Sequence, residues 1–79
     1  MAKIAVENTL TNVKQALENS GHQVVGMDLQ SIQNCDCCVI SGQDKNMLGI
    51  AETATKAAVI NAQGLSADEV LEQVNQRVQ

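Results

Sequence analysis

The segment KIAVENTLTNVKQALENSGHQVVGM, residues 3–27, decides the fold. Its first four residues, 3–6, are apolar and partly β-branched after the opening lysine, as in a buried strand. The apolar residues that follow recur at the spacing of one helix face: Leu10, Val13, Ala16 and Leu17. Gly21 stands where a helix commonly ends, and a second apolar run begins at residue 23. This strand, helix and strand favour two parallel strands joined by a right-handed crossover.

The rest of the chain continues this alternation. Residues 28–35 lack a clear periodicity, so we expect a loop or one irregular turn there. The apolar run at 36–41 predicts a strand buried on both faces, as in a parallel sheet. Apolar residues in 47–54 predict a short helix interrupted by a glycine, and 57–61 predicts a fourth strand.

Two helix starts carry capping signals. Ser66 is followed three residues later by Glu69, the spacing of a capping box, so the last helix is expected to begin just after Ser66. For the first helix, we expect the side chain of Asn8 or Thr9 to act as the N-cap.

These elements predict an α/β domain. We expect a three-layer sandwich: a four-stranded, mainly parallel sheet of order 2-1-3-4 with about three helices, similar to half of a doubly wound domain. No repeat or proline-rich linker divides the chain, so residues 1–79 are expected to form one domain.

The composition excludes several classes of function. The net charge of −4, with scattered lysines and no aromatic residue, argues against nucleic acid, which needs a basic surface or stacking side chains. The first residues form no hydrophobic signal region, and no run is long enough to span a membrane, so we expect a cytoplasmic protein. A core without aromatic side chains is small, which makes a homodimer an open possibility.

A binding site is expected at one edge of the sheet. Ligands of open parallel sheets lie beyond the carboxyl ends of the strands, where the winding direction reverses, here between strands 1 and 3. The polar residues that follow these two strands are the candidate ligand-binding residues: Glu7, Asn8, Ser41, Gly42, Asp44, Lys45 and Asn46. A small anion is the ligand that such a polar loop before a helix favours. The alternative is purely structural, with a glycine turn, a helix cap and a solvated lysine.

Three cysteines, Cys35, Cys37 and Cys38, suggest either a metal or redox site or ordinary core packing. On a strand, Cys35 and Cys37 would share one face and Cys38 would take the other, so three ligands would not converge. Free thiols in odd number fit a reducing compartment. We expect buried structural thiols, with Cys35 the most exposed, and the sequence implies no cofactor.

The full chain resembles the YkuS-like family of small uncharacterised bacterial proteins. The resemblance rests on the opening residues 1–25, the central NCDCCVISGQDKNMLGI and the closing TKAAVINAQGLSADEV. It implies a bacterial cytoplasmic protein and assigns no activity, substrate, partner or functional residue. We therefore expect a non-catalytic module that binds a small molecule or a protein, and a thiol-dependent metal or redox protein is the alternative.

Overall fold

The computed structural model describes residues 2–42 and 57–78. In these ranges the elements are β1 (Lys3–Val6), α1 (Thr11–Asn19), β2 (Gln23–Val25), α2 (Leu29–Gln33), β3 (Cys37–Ile40), β4 (Ala58–Asn61) and α3 (Ala67–Val78). The helix expected within 47–54 lies outside the described residues.

The strands form one parallel sheet in the order β2-β1-β3-β4, which confirms the predicted order. Ala5 in β1 marks the register, because it pairs with Val25 on one side and with Cys38 on the other. The chain steps from β1 to one side for β2 and then crosses to the other side for β3. Because crossovers between parallel strands are right-handed, this change of direction puts α1 and α2 on opposite faces of the sheet.

The two faces of the sheet carry separate apolar cores. On the first face, α1 and α3 pack against each other and against the strands. The buried residues there form the first-face core: Ala2, Ile4, Val6, Val13, Leu17, Cys37, Val39, Ile60, Ala62, Val70 and Val74. The opposite face carries the second-face core: Ala5, Ile32, Cys38 and Ile40. Helices on both faces give the predicted three layers.

Helix α2 corrects the prediction of a loop or irregular turn at 28–35. The Asp28 side chain caps this helix by accepting the Ser31 backbone N–H at 3.1 Å. Ile32 is fully buried in the second-face core. A helix of five residues is too short to show a period, and helices this short depend on tertiary packing.

The capping box of α3 is confirmed in both directions. The Glu69 N–H donates to Ser66 Oγ at 3.2 Å, and the Ser66 N–H donates to Glu69 Oε1 at 3.0 Å. The prediction succeeded because both bonds are local and follow from residue spacing alone.

Among the described residues, no helix is long and apolar enough to cross a membrane.

Candidate ligand-binding site

The candidate site lies at the carboxyl edge of the sheet, between β1 and β3. The Glu7 N–H donates to the Val39 carbonyl at 3.0 Å, so the two strands stay paired to the end of β1. The loops that follow β1 and β3 therefore leave the sheet side by side. Open parallel sheets bind ligands at this position, where the winding direction of the sheet reverses and a crevice opens between the two loops.

The turn after β1 uses its polar side chains locally. The Leu10 N–H donates to the Glu7 carbonyl at 3.0 Å, and the Thr9 hydroxyl donates to Glu7 Oε2 at 2.8 Å. The Lys14 ammonium donates to Asn8 Oδ1 at 3.1 Å. These contacts hold a compact turn and place one carboxylate and one ammonium group near the start of α1.

The expected cap of α1 by Asn8 or Thr9 is wrong. The N-cap position is Leu10, with φ −93° and ψ 60°, and no side chain caps this helix. Capping side chains usually act from a residue with extended backbone, and Leu10 departs from that conformation. The first N–H groups of α1 thus open on the carboxyl edge of the sheet without a side-chain acceptor.

The second loop begins with Ser41 and Gly42, both half-buried. Gly42 has a φ of +81°, and a Cβ built on it would lie 2.8 Å from Asn61 Cγ. Asn61 ends β4, and its Oδ1 accepts the Gln63 N–H at 2.9 Å. Only glycine fits this position without strain, because it tolerates both the backbone angle and the close amide group.

The structure brings together four of the predicted residues and adds two more. Glu7, Asn8, Ser41 and Gly42 lie at the same edge of the sheet. The predicted Asp44, Lys45 and Asn46 lie outside the described residues. Two residues at this edge were missed: Lys14, one turn into α1, and Asn61, the last residue of β4. Asn61 could have been identified from the sequence, because a strand parallel to β3 ends at the same edge of the sheet and Asn61 is the last residue of β4.

The cysteines are separated by the sheet, as β-strand alternation requires. Cys37 lies in the first-face core and Cys38 in the second-face core, and both are fully buried. Burial raises the pKa of the Cys37 thiol to about 11 and that of Cys38 to about 12. Both thiols therefore stay protonated and unreactive near neutral pH.

Cys35 lies on a different face from the one expected. It packs against the second-face core with Cys38, whereas strand alternation would have placed it with Cys37. The reason is that β3 begins at Cys37, so Cys35 belongs to the connection after α2 and does not follow the strand. Its Sγ donates to the Ile32 carbonyl at 3.2 Å, and it is the most exposed of the three, as predicted.

Residues 2–42 and 57–78 contain no group of three His, Cys, Asp or Glu side chains arranged to hold a metal ion.

Comparison with known proteins identifies relatives over the full chain. The family model described as "Uncharacterised protein family (UPF0180)" matches residues 2–77. A UPF0180 protein of Bacillus cereus is 56% identical, covering 99% of this chain and 100% of the relative.

Two other species have similar relatives. A UPF0180 protein of Bacillus thuringiensis subsp. konkukian is 56% identical over 98% of this chain and 95% of its own length. A UPF0180 protein of Bacillus cytotoxicus is 52% identical over 99% of this chain and 100% of its own length. No solved structure matches the chain significantly. These full-length matches confirm the expectation from the sequence: the chain belongs to UPF0180, a family of small bacterial proteins that is described as uncharacterised.

Proposed function

We propose that this domain is a non-catalytic binding module that takes a small anion, such as a phosphate group, at the carboxyl edge between β1 and β3. The ligand would lie over the start of α1, between the loop at residues 7–9 and the loop that begins at Ser41. The unpaired thiols support a reducing compartment, and we expect the cytoplasm.

One observation carries the proposal. Helix α1 starts without a side-chain cap at the edge where the winding of the sheet reverses. The partial positive charge of a helix start and its N–H groups favour an anion. Most helix starts are satisfied by a neighbouring side chain, but here Asn8 and Thr9 bond elsewhere.

The side chains around this helix start set the charge of the site. Lys14 supplies a positive charge near the start of α1, and its hydrogen bond to Asn8 holds the ammonium group there. Glu7 supplies a negative charge, and its Oε2 accepts the Thr9 hydroxyl. A ligand that keeps clear of Glu7 while contacting Lys14 and the N–H groups must be small. This argues for a phosphate or sulfate group and against an extended polyanion.

The test is a titration of the isotope-labelled chain with inorganic phosphate, followed by amide NMR spectra and thermal unfolding. We expect chemical-shift changes concentrated at the N–H groups of residues 11–13, because the Lys14 N–H already donates to the Leu10 carbonyl at 3.0 Å. At ten times its Kd, phosphate would add about 1.4 kcal/mol of stability, which raises Tm by roughly 6 to 11 °C in a domain of this size. Sodium chloride at equal ionic strength controls for charge screening.

Two lysine variants make the test specific. Lys14→Gln removes the charge near the start of α1 and should weaken the phosphate response severalfold. Lys3→Gln removes one positive charge at the opposite edge, where Lys3 begins β1, and should leave the response intact. Equal responses from both variants, or a flat thermal response to phosphate, would contradict the proposed site.

A further inference from the structure

Three sulfur side chains lie at the second-face core, and two of them are in direct contact. The Cys38 thiol donates to Met27 Sδ, with the sulfur atoms 3.6 Å apart, and Cys35 packs against the same core. Met27 follows β2, and β1 lies between β2 and β3. The Met27 side chain therefore extends across β1, at the level where Ala5 offers only a methyl group.

The spacing of the Cys38 and Met27 sulfur atoms suits a shared metal ion. With a metal–sulfur distance of about 2.3 Å, two sulfur atoms 3.6 Å apart subtend an angle of about 100° at an ion between them, so one ion can contact both. Cys35 and Cys38 are also separated by two residues, the interval at which a chain commonly presents two thiols to one metal. Cys37 lies on the opposite face and takes no part.

We propose that Cys35, Cys38 and Met27 form a binding site for one soft monovalent metal ion of the Cu(I) class. Thiolate and thioether sulfur select soft ions, and a thioether is a poor ligand for harder ones. The described residues offer no third His, Cys, Asp or Glu to complete a zinc site with these thiols. The proposal is independent of anion binding.

Binding requires the loss of thiol protons. In each cysteine the S–H bond breaks, the proton passes to water, and the sulfur donates an electron pair to the ion; Met27 donates a pair without losing a proton. No electron is transferred, so the ion remains monovalent. Because each thiol must lose its proton to bind the ion, affinity should rise with pH. Cys35, partly exposed, provides the route of entry.

The test is an anaerobic titration of the reduced full chain with Cu(I), using a chromogenic Cu(I) chelator as competitor. The chain has no Phe, Trp or Tyr, so thiolate-to-copper absorption in the near ultraviolet is free of aromatic background. We expect one Cu(I) per chain. Cys35→Ala and Cys38→Ala should each raise the Kd at least a hundredfold, and Met27→Leu about tenfold.

Matched controls separate binding from folding. Cys37→Ala removes an equally buried thiol from the other face and should keep the wild-type Kd within threefold. Met27→Leu conserves side-chain volume, and Cys35→Ala changes a partly exposed residue, so both should retain the wild-type circular dichroism spectrum. Loss of binding in Cys37→Ala, or wild-type affinity in Met27→Leu, would overturn the proposal. So would a stoichiometry of half a copper ion per chain, which indicates bridging between molecules.

Discussion

His22 Nε2 lies 2.7 Å from Asn75 Oδ1, which joins the connection between α1 and β2 to helix α3 across 53 positions of sequence. The other ring nitrogen, His22 Nδ1, is buried and has no hydrogen-bond partner among the described residues. Within the described residues, Asn75 is therefore the only hydrogen-bond partner of the His22 side chain.

Asn75→Ala should lower the free energy of unfolding by about 1 kcal/mol, because it leaves the second, partly buried ring nitrogen of His22 without its partner. Gln76→Ala, at the exposed neighbouring position on α3, should change it by less than about 0.5 kcal/mol. Urea unfolding measures both values. Similar effects in the two variants would show that the His22–Asn75 bond does not stabilise the fold.

Gly42→Ala should destabilise the domain more than Gly64→Ala. Both glycines have positive φ, and an alanine there costs roughly 1–2 kcal/mol. A Cβ at Gly64 meets open space, whereas one at Gly42 overlaps the Asn61 amide. Urea unfolding should therefore show an additional loss for Gly42→Ala.

The Asn61→Ala background provides the control for this effect. Removing the Asn61 amide should reduce the cost of Gly42→Ala to that of Gly64→Ala, because only the backbone strain remains. If the cost of Gly42→Ala is unchanged in this background, the close packing of Gly42 and Asn61 is not its cause.

Acid should weaken the start of α3. Hydrogen bonds from Ser66 lower the pKa of Glu69 in the folded state, so its contribution to stability is present above the unfolded pKa, near 4.5. That contribution is lost as the pH falls through the lower folded pKa. Glu69→Gln should flatten the decline of stability below about pH 5, and Ser66→Ala should flatten it in part. Urea unfolding between pH 6 and about pH 3 measures the slopes, and an unaltered slope in Glu69→Gln would refute the assignment.

The thiols should differ in reactivity. With iodoacetamide at pH 8, folded protein should be labelled at Cys35 at least tenfold faster than at Cys37 or Cys38, since the latter two are fully buried and have raised pKa values. In urea all three should react at similar rates. Mass spectrometry of peptides gives each rate, and rapid labelling of Cys38 in the folded protein would contradict its burial.

The sheet could be predicted from sequence because its determinants are strong and local. The apolar runs that became β1 and β3 bury both of their faces, and the helix between β1 and β2 has a clear period. Ser66 and Glu69 fixed the start of α3 by spacing alone. By contrast, α2 forms because Ile32 is buried against a sheet that is assembled from distant segments. No local pattern reports such burial.

The candidate site was predictable only in part. Glu7 and Ser41 follow strands whose neighbourhood was correctly inferred, so their shared edge was foreseeable. The position of the Lys14 ammonium group was not foreseeable, because it depends on Asn8 bonding to Lys14 instead of capping the helix. Cys35 was misplaced because strand alternation was extended beyond the first residue of β3. The cytoplasmic location stays a prediction, and the homodimer stays the open alternative that the composition allows.

The packing of α3 on α1 also constrains the order of folding. The first-face core joins Val13 and Leu17 to Val70 and Val74, so it closes a loop that contains most of the sequence. Such contacts are slow to form, because the entropy of loop closure is lost before they stabilise the chain. During synthesis, β1, α1 and β2 emerge from the ribosome well before α3 and cannot complete this core alone. The nascent chain must therefore keep an uncovered apolar surface until its last helix is made, which is the interval in which a chaperone would act.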